Sequence, residues 1–281
     1  MIKVLKPGFY TSVQDFGREG YQHFGVPYSG VMDRQSAAFA NSLVGNLIND
    51  AVIELTMTGG AFLFEQETLI AICGADMCAK LNGIKVPLNK RLHIKPLDVL
   101  TFGKLINGFR CYIAVFGGFK TKTIMGSKSF YTGITPQSFL KKDDVLKIDA
   151  LKKTYYKNNT TFIPNFNFTT NDLEVFKGPE YSSLSASQKT LLFNTPLTIS
   201  NHSSRMGYQL KGFVSNHLPS IITSIVRPGT VQLTPSGMLI VLMRDCQTTG
   251  GYPRVLQLSA KAINILSQKY MGQEVCFKNM D

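Results

Sequence analysis

The chain has 281 residues, 44% of them hydrophobic, with 30 Lys plus Arg against 18 Asp plus Glu for a formal charge of +12. That length supports one large domain or two of about 140 residues, and no apolar run approaches the roughly 18 residues of a membrane span. The opening MIKVLKPGFY has no secretion-signal pattern, so the expected address is the cytoplasm, and the five cysteines read as free thiols rather than a disulfide framework or a zinc site.

The first polar cluster is Gln14-Asp15-Phe16-Gly17-Arg18-Glu19-Gly20. A carboxylate three positions before an arginine, between glycines, can clamp a substrate carboxylate or orient an amide; it can equally close a loop with an Asp–Arg pair. Next comes Ser29-Gly30-Val31-Met32-Asp33-Arg34, leading into a helix over Asp33 to Leu47 in which Ala37, Ala40, Leu43, Val44 and Leu47 share one face. Asp33 is the expected N-cap, with Ser36 three residues on. That helix start can hold an anion or be a plain capped terminus.

Short runs rich in Val, Ile, Leu, Phe and Thr follow and read as strands: Ala51 to Leu55, Ala61 to Phe64, Thr68 to Cys73, Val99 to Phe102 and Cys111 to Phe116. Much of the excess positive charge falls between Lys120 and Lys157. It raises nucleic acid, an acidic protein or an anionic substrate as partner, but no helix-turn-helix, zinc-finger or RNA-binding signature accompanies it, so no nucleic-acid role is expected. Residues 151–172, rich in Asn and Thr, read as a linker.

Strand patterns resume at Leu197 to Ser200, Thr230 to Leu233 and Met238 to Met243, with a last helix around Ala260 to Tyr270. Between them Asn201-His202-Ser203-Ser204-Arg205-Met206-Gly207-Tyr208 offers His202, Ser203 and Arg205 as site groups. A serine-hydrolase triad is disfavoured because no G-x-S-x-G elbow is present. His23, His93 and His217 lack ligand spacing, so no metal site is expected. The most informative stretch is DCQTTGGYPR, Asp245 to Arg254: a buried strand delivers amide, hydroxyl and tyrosine groups on a loop that Gly250-Gly251 lets turn or approach a ligand. The alternative is an ordinary Gly-Gly-Tyr-Pro turn between strands.

The two halves echo one another. IKVLKPGFYTS from Ile2 pairs with LEVFKGPEYSS from Leu173, Gly30-Val31-Met32 with Ser204-Arg205-Met206, ELTMTGG from Glu54 with QLTPSGM from Gln232, and LDVLTF from Leu97 with GQEVCF from Gly272, in the same order. Two copies of one mainly β domain, spanning about 2–102 and 173–277, are therefore expected, the alternative being chance coincidence of short strand-and-turn strings. The expected domains are residues 1–150 and 173–281 flanking the linker, with a barrel or sandwich architecture and a few short helices. Neither a G-x-x-x-x-G-K-[ST] phosphate loop nor a dinucleotide G-x-G-x-x-G follows a strand, so any nucleotide is expected on another chain.

Taken together, SVQDFGREGYQHFGVPYSGVMDRQSAAFANSLVGN, CYIAVFGGFKTKTIMGSKSFY, SSRMGYQLKG and DCQTTGGYPR resemble, in that order, the biotin-dependent carboxyltransferase family also called allophanate hydrolase subunit 2. The resemblance runs from about Leu5 to Phe277. It implies two cyclophilin-like β-barrel domains and work beside a kinase-inhibitor-type partner, the B-type subunit, with an A-type subunit needed to complete a 5-oxoprolinase. Other members are the carboxyltransferase part of urea carboxylase and an antagonist of a sporulation-kinase inhibitor. No biotinyl-lysine signature such as A-M-K-M is present, which favours the ATP-dependent hydrolysis of 5-oxo-L-proline, with biotin entering only under the urea carboxylase alternative. A non-catalytic binder of a kinase-inhibitor-type partner is the third reading.

Under the resemblance Asp15 and Asp33 are the candidate catalytic carboxylates, positioning water or a proton. Arg18 and Arg205 are candidates for the substrate carboxylate, Gln247, Thr248 and Thr249 for its amide edge, and Met32, Tyr208, Gly250 and Tyr252 complete the substrate-binding set. Two departures from the family pattern stand out: Ser204 where an Asn or Asp commonly precedes Arg-Met-Gly, and Ala260-Lys261-Ala262 where Ala-Asp-Leu is common.

Overall fold

The computed structural model describes residues 1–151, 167–212, 214–216 and 218–280. Most of the expected linker, and His217, lie outside the described residues. The chain groups into two compact units, Met1–Arg18 with Ser29–Phe168, and Glu19–Tyr28 with Thr169–Asp281. Most of unit 2 follows Thr169, and Glu19–Tyr28 groups with it although that segment precedes most of unit 1.

Unit 1 begins with β1 (Ile2–Lys6), β2 (Tyr10–Gln14), α1 (Arg34–Leu43), β3 (Val52–Thr56), β4 (Ala61–Phe64) and β5 (Thr68–Asp76). It continues through β6 (Lys80–Leu81), β7 (Ile84–Lys85), β8 (Arg91–Ile94), β9 (Val99–Thr101), β10 (Asn107–Val115) and β11 (Val145–Leu146). Two sheets result, in the orders β11-β1-β4-β9-β6-β7 and β2-β3-β10-β5-β8. Strand alternation explains the unbroken apolar runs. Along β5, Ile70 and Ile72 enter one core with Val4, Phe62 and Ile113, while Leu69, Ala71 and Cys73 enter a second core under Ala37, Phe39, Ala40 and Leu43 of α1. The helix is shorter than its sequence pattern: Val44 caps it and Gly45 takes φ 76°, so Leu47 leaves the apolar face and is exposed.

Unit 2 holds β12 (Asp172–Lys177), α2 (Ala186–Asn194), β13 (Leu197–Ile199), β14 (Gly207–Lys211), β15 (Ser224–Ile225), β16 (Thr230–Leu233), β17 (Leu239–Leu242), β18 (Thr249–Gly250), β19 (Arg254–Leu258), α3 (Ala260–Ser267) and β20 (Glu274–Asn279). Seven of its strands close a barrel in the order β12-β19-β16-β17-β14-β13-β20, and β15 pairs with β18 in a separate ribbon. Closure removes the sheet edges that would otherwise carry unpaired backbone groups. Val231, Leu233, Leu239 and Val241 fill the interior at full burial, and α3 contributes Ala262 and Leu266 at its buried face. Helix α2 is absent from the sequence expectation: it buries only Leu192, so no apolar stripe marks it, although Ser185 and Gln188 form a capping box at its start.

Candidate functional site

In unit 2 the 201–208 motif is a turn that feeds β14. Ser204 N donates to Gly207 O at 2.9 Å, and Met206 N donates to the Ser204 hydroxyl at 3.2 Å. Arg205 turns its guanidinium inward, where Nε and Nη2 donate to the two carboxylate oxygens of Asp245 at 2.8 and 3.0 Å. Two main-chain bonds reinforce the joint, Asp245 N to Arg205 O and Met243 N to Met206 O, both 2.9 Å. The turn before β14 and the loop after β17 are therefore one assembly. Beyond it Val226 N donates to Thr248 O, Ile221 N to Gly251 O and Leu233 N to Pro253 O, each at 3.0 Å, so the Gly-Gly-Tyr-Pro segment is held along its backbone.

This assembly borders a pocket of about 550 Å³ on the outer face of the barrel, within the size range of small-molecule sites. Its floor follows from register. Gln209 of β14 and Gln232 of β16 both stand opposite Ile240 of β17, so the three side chains lie in a row across adjacent strands, on the face away from the barrel core. Gly207 stands opposite Leu242 at the next outward position and leaves the pocket open there. His202, Ser204 and Met206 line one side; Gln247 and Tyr252 line another. Gly250 abuts the Gln232 amide: a Cβ there would meet Gln232 Nε2 at 2.6 Å. Cys246, buried beneath the loop beside Val226 and Leu242, has its thiol pKa pushed up to about 12, first by burial and then by the Asp245 carboxylate, so it is a protonated packing group.

The remaining members of the expected set occupy other places. Thr249 and Gly250 pair with Ile225 and Ser224, and Thr248 contributes its carbonyl to Val226. Tyr208 is buried, with its hydroxyl donating to Lys269 O at 3.0 Å. Burial pulls the Lys269 ammonium pKa down, and its Nζ donates to Asn171 Oδ1 at 3.0 Å.

In unit 1 the two N-terminal motifs pack on each other. Val31 N donates to Asp15 O at 2.8 Å, and a Cβ on Gly30, whose φ is 91°, would stand 2.8 Å from Gly17 N and Phe16 C. The Asp15 carboxylate accepts from Gly17 N, Lys128 N and the hydroxyls of Ser127 and Ser129 at 2.5–2.8 Å. Arg18 is fully buried and donates to Ser129 O. Asp33 caps α1 through Ser36 N at 3.1 Å and also accepts the Ser36 hydroxyl at 2.5 Å. Met32 is buried, with its N donating to Glu54 Oε2 at 2.8 Å; Glu54 in turn lies 3.8 Å from the Arg110 guanidinium. Asp33 N donates to the Tyr112 hydroxyl at 2.8 Å, and burial, with Glu54 and Asp33 nearby, drives that phenol's pKa well above its ordinary value. Among the described residues no group of three or more His, Cys, Asp or Glu side chains could hold a metal ion.

Comparison with known proteins matches residues 24–279 to the carboxyltransferase domain, subdomain A and B. The chain belongs to this carboxyltransferase family. It is 32% identical to the C-type subunit of 5-oxoprolinase from Escherichia coli over 283 residues, which covers 99% of this chain and 90% of that one. It is also 41% identical to urea amidolyase of Saccharomyces cerevisiae over 132 residues, 47% of this chain but 7% of that protein. Among solved structures, TTHA0988 superposes with a TM-score of 0.87 at 27% identity, covering 99% of this chain and 55% of that chain. This carboxyltransferase-family chain thus spans about half the length of that solved relative.

Within the carboxyltransferase-family chain, the fold brings Gln247 and Tyr252 to the lining of one pocket, with Arg205 in the joint beside it and Gly250 against the Gln232 amide, and leaves Asp15, Arg18, Met32 and Asp33 in unit 1. The sequence reading missed Gln209 and Gln232. Their signal was available as glutamines set between apolar residues in GYQLK and TVQL, but only the pairing of both strands with β17 sets them side by side.

Proposed function

We propose that this chain is the C-type subunit of an ATP-dependent 5-oxoprolinase, acting with A-type and B-type partners to open 5-oxo-L-proline to L-glutamate. The observation that carries the reading is the pocket of unit 2, where the two motif segments converge on an amide-rich surface. Similarity to the C-type subunit of 5-oxoprolinase over nearly the whole of both chains supports it. A lactam resists hydrolysis because its amide is resonance-stabilised. Phosphorylation of the amide oxygen by ATP would activate the ring carbon toward water, and donors aimed at the ring would orient it. The ring nitrogen would then leave as the amine, opening the C–N bond to an acyl phosphate that a second water hydrolyses to L-glutamate and phosphate. We assign ATP to another subunit, since this sequence has no phosphate-binding loop. The assembled enzyme works in the cytoplasm in this reading; among the described residues no helix is long and apolar enough to cross a membrane.

Gln247 and Tyr252 are the proposed substrate contacts, Gly250 gives the Gln232 amide its room, and Thr248 and Thr249 hold the loop through the ribbon. Arg205 and Tyr208 act as positioning residues, because one is paired with Asp245 and the other bonded to Lys269 O. The same argument moves Asp15 and Asp33 from proton transfer to shaping unit 1, together with Arg18 and Met32, since both carboxylates already accept several short bonds.

The test is 5-oxoproline-dependent phosphate release by this chain alone, with its B-type partner, and with both A-type and B-type partners. Turnover confined to the full mixture is the expected result; silence in every mixture overturns the proposal. The higher local identity to urea amidolyase favours carboxyl transfer to a urea-like acceptor as the second reading. Under it, biotin-bearing partners and urea would restore activity where 5-oxoproline does not.

A further inference from the structure

We infer that the pocket of unit 2 selects its ligand by a neutral carboxamide edge, read by Gln209, Gln232 and Gln247, and provides no ammonium or guanidinium for a ligand's carboxylate. Resting on the 5-oxoprolinase reading, it follows that this chain holds the lactam while the substrate carboxylate is contacted from outside this pocket.

Three carboxamides line the pocket, with the exposed His202 imidazole at its side, and no carboxylate, ammonium or guanidinium does so among the described residues. Each carboxamide carries two N–H donors beside one carbonyl acceptor. A cyclic amide presents its N–H and C=O on one side of the ring, and so does each half of urea, so a glutamine side chain can answer both groups at once. A ketone or an alcohol of the same size cannot.

The glutamines are weakly engaged. Gln209 Nε2 reaches only the Met238 thioether at 3.4 Å, and Gln232 Nε2 reaches Tyr252 O at 3.5 Å, the outer limit of a hydrogen bond. Gln232 is nonetheless buried, where an amide with poor partners is costly unless a ligand completes it. Ile240 between the two strand glutamines and Leu242 beside it give the ring an apolar floor. Gly250 keeps the space before Gln232 Nε2 clear.

Four cations of unit 2 have other places. Arg205 is committed to Asp245, while Lys177, Arg227 and Arg254 line a different hollow.

The experiment is ligand-observed NMR titration of the full chain, without partners, using 2-pyrrolidinone, 5-oxo-L-proline and cyclopentanone as probes. The two lactams are expected to saturate with dissociation constants within about threefold of each other, and cyclopentanone to bind at least about tenfold more weakly, because a polar site left unpaired discriminates strongly. Gln232→Met, close in length but without the amide, should weaken 2-pyrrolidinone at least about tenfold and leave cyclopentanone unchanged. A thermal melt checks its folding, and Gln209→Met, at a half-buried position, replaces it if Gln232→Met unfolds. Equal binding of cyclopentanone, absence of saturable lactam binding, or lactam binding unchanged in the variants overturns the inference. So does 5-oxoproline binding more than about tenfold tighter than 2-pyrrolidinone, which would place the carboxylate contact in this chain. Lactam binding that persists while the reconstituted complex fails to turn over 5-oxoproline would sink the oxoprolinase activity and leave the recognition standing.

Discussion

Arg205 and Asp245 form a two-pronged, nearly buried ion pair, Nε to Oδ2 at 2.8 Å and Nη2 to Oδ1 at 3.0 Å, joining segments 40 positions apart. The arginine expected at a substrate carboxylate is paired with Asp245 and joins the two loops that border the pocket. Removing one partner would strand a charge in a poorly hydrated place. Asp245→Ala should therefore destabilise the protein by about 3–5 kcal/mol, whereas the double replacement Arg205→Met with Asp245→Leu should recover much of that loss. Denaturant unfolding of both variants decides it, and an Asp245→Ala protein with unchanged stability would contradict this role of the pair.

Gly250 and Gly178 differ in what a methyl group would strike, and so predict different phenotypes. At Gly250 the obstacle is the movable end of Gln232, 2.6 Å away; at Gly178 it is the Arg254 carbonyl oxygen, 2.1 Å away and fixed in the backbone. Gly250→Ala should fold with a melting temperature near that of the unmodified chain and lose activity in the reconstituted complex at least about tenfold, consistent with misplacement of a binding amide. Gly178→Ala should lose about 1–3 kcal/mol or more of stability. Parallel melting and phosphate-release assays separate the two, and equal effects on both measurements for Gly250→Ala would argue against its pocket role.

Asp15 gives the sharpest contrast between a chemically attractive residue and its surroundings. Its oxygens accept two backbone N–H groups and two serine hydroxyls. Asp15→Asn would turn an amide N–H₂ toward donors and break this arrangement, so stability should fall by about 1–3 kcal/mol for the unsatisfied groups. An Asp15→Asn chain that melts normally but abolishes turnover in the complex would restore the catalytic role.

What could be read in the sequence was local. The Asp33 cap, the strand runs and the loop beginning at Asp245 follow from spacing and turn chemistry, and they are present in the fold. What could not be read was which strand lies beside which. The Gln209–Ile240–Gln232 row exists because β17 is flanked by β14 and β16 in a closed barrel, a long-range pairing with no local signal. Likewise, the helix start holds Asp33 as a cap because Ser36 satisfies both its oxygens, a fact of side-chain geometry that the motif alone leaves open. The sequence echo between Glu54 and Gln232 has a structural counterpart: both are buried polar groups in fully buried strands, one bonded to Met32 N and one facing the pocket.

Thiol chemistry offers an independent check of burial. Cys246 is held protonated with a pKa near 12, and Cys73 and Cys111 are also raised by burial, whereas Cys78 and Cys276 are only half-buried. Titration of the native chain with an aromatic disulfide reagent at about pH 8 should modify Cys78 and Cys276 alone, with all five thiols reacting once the chain is denatured. Rapid native labelling of Cys246, located by peptide mapping, would mean that the loop above it opens.

The pH dependence of stability should carry the signature of Glu180. Arg254 donates to both its oxygens, from Nε at 3.0 Å and Nη2 at 2.8 Å, and its backbone N donates at 2.8 Å, so the carboxyl pKa is lowered from 4.5 chiefly by the side-chain bond to that guanidinium. The same guanidinium donates to the Ser224 hydroxyl and to Ile225 O, which ties the pair to the ribbon that holds the glycine-rich loop. A group whose pKa is lower folded than unfolded stabilises the fold fully above the unfolded value, and that contribution vanishes as pH falls through the folded value. Glu180→Gln should accordingly melt below the unmodified chain at about pH 6–7 and converge with it in acid, flattening the profile below 4.5. Parallel melting curves across that range, or a variant whose deficit grows on acidification, would show that the ionised carboxylate is not what stabilises this corner of the barrel.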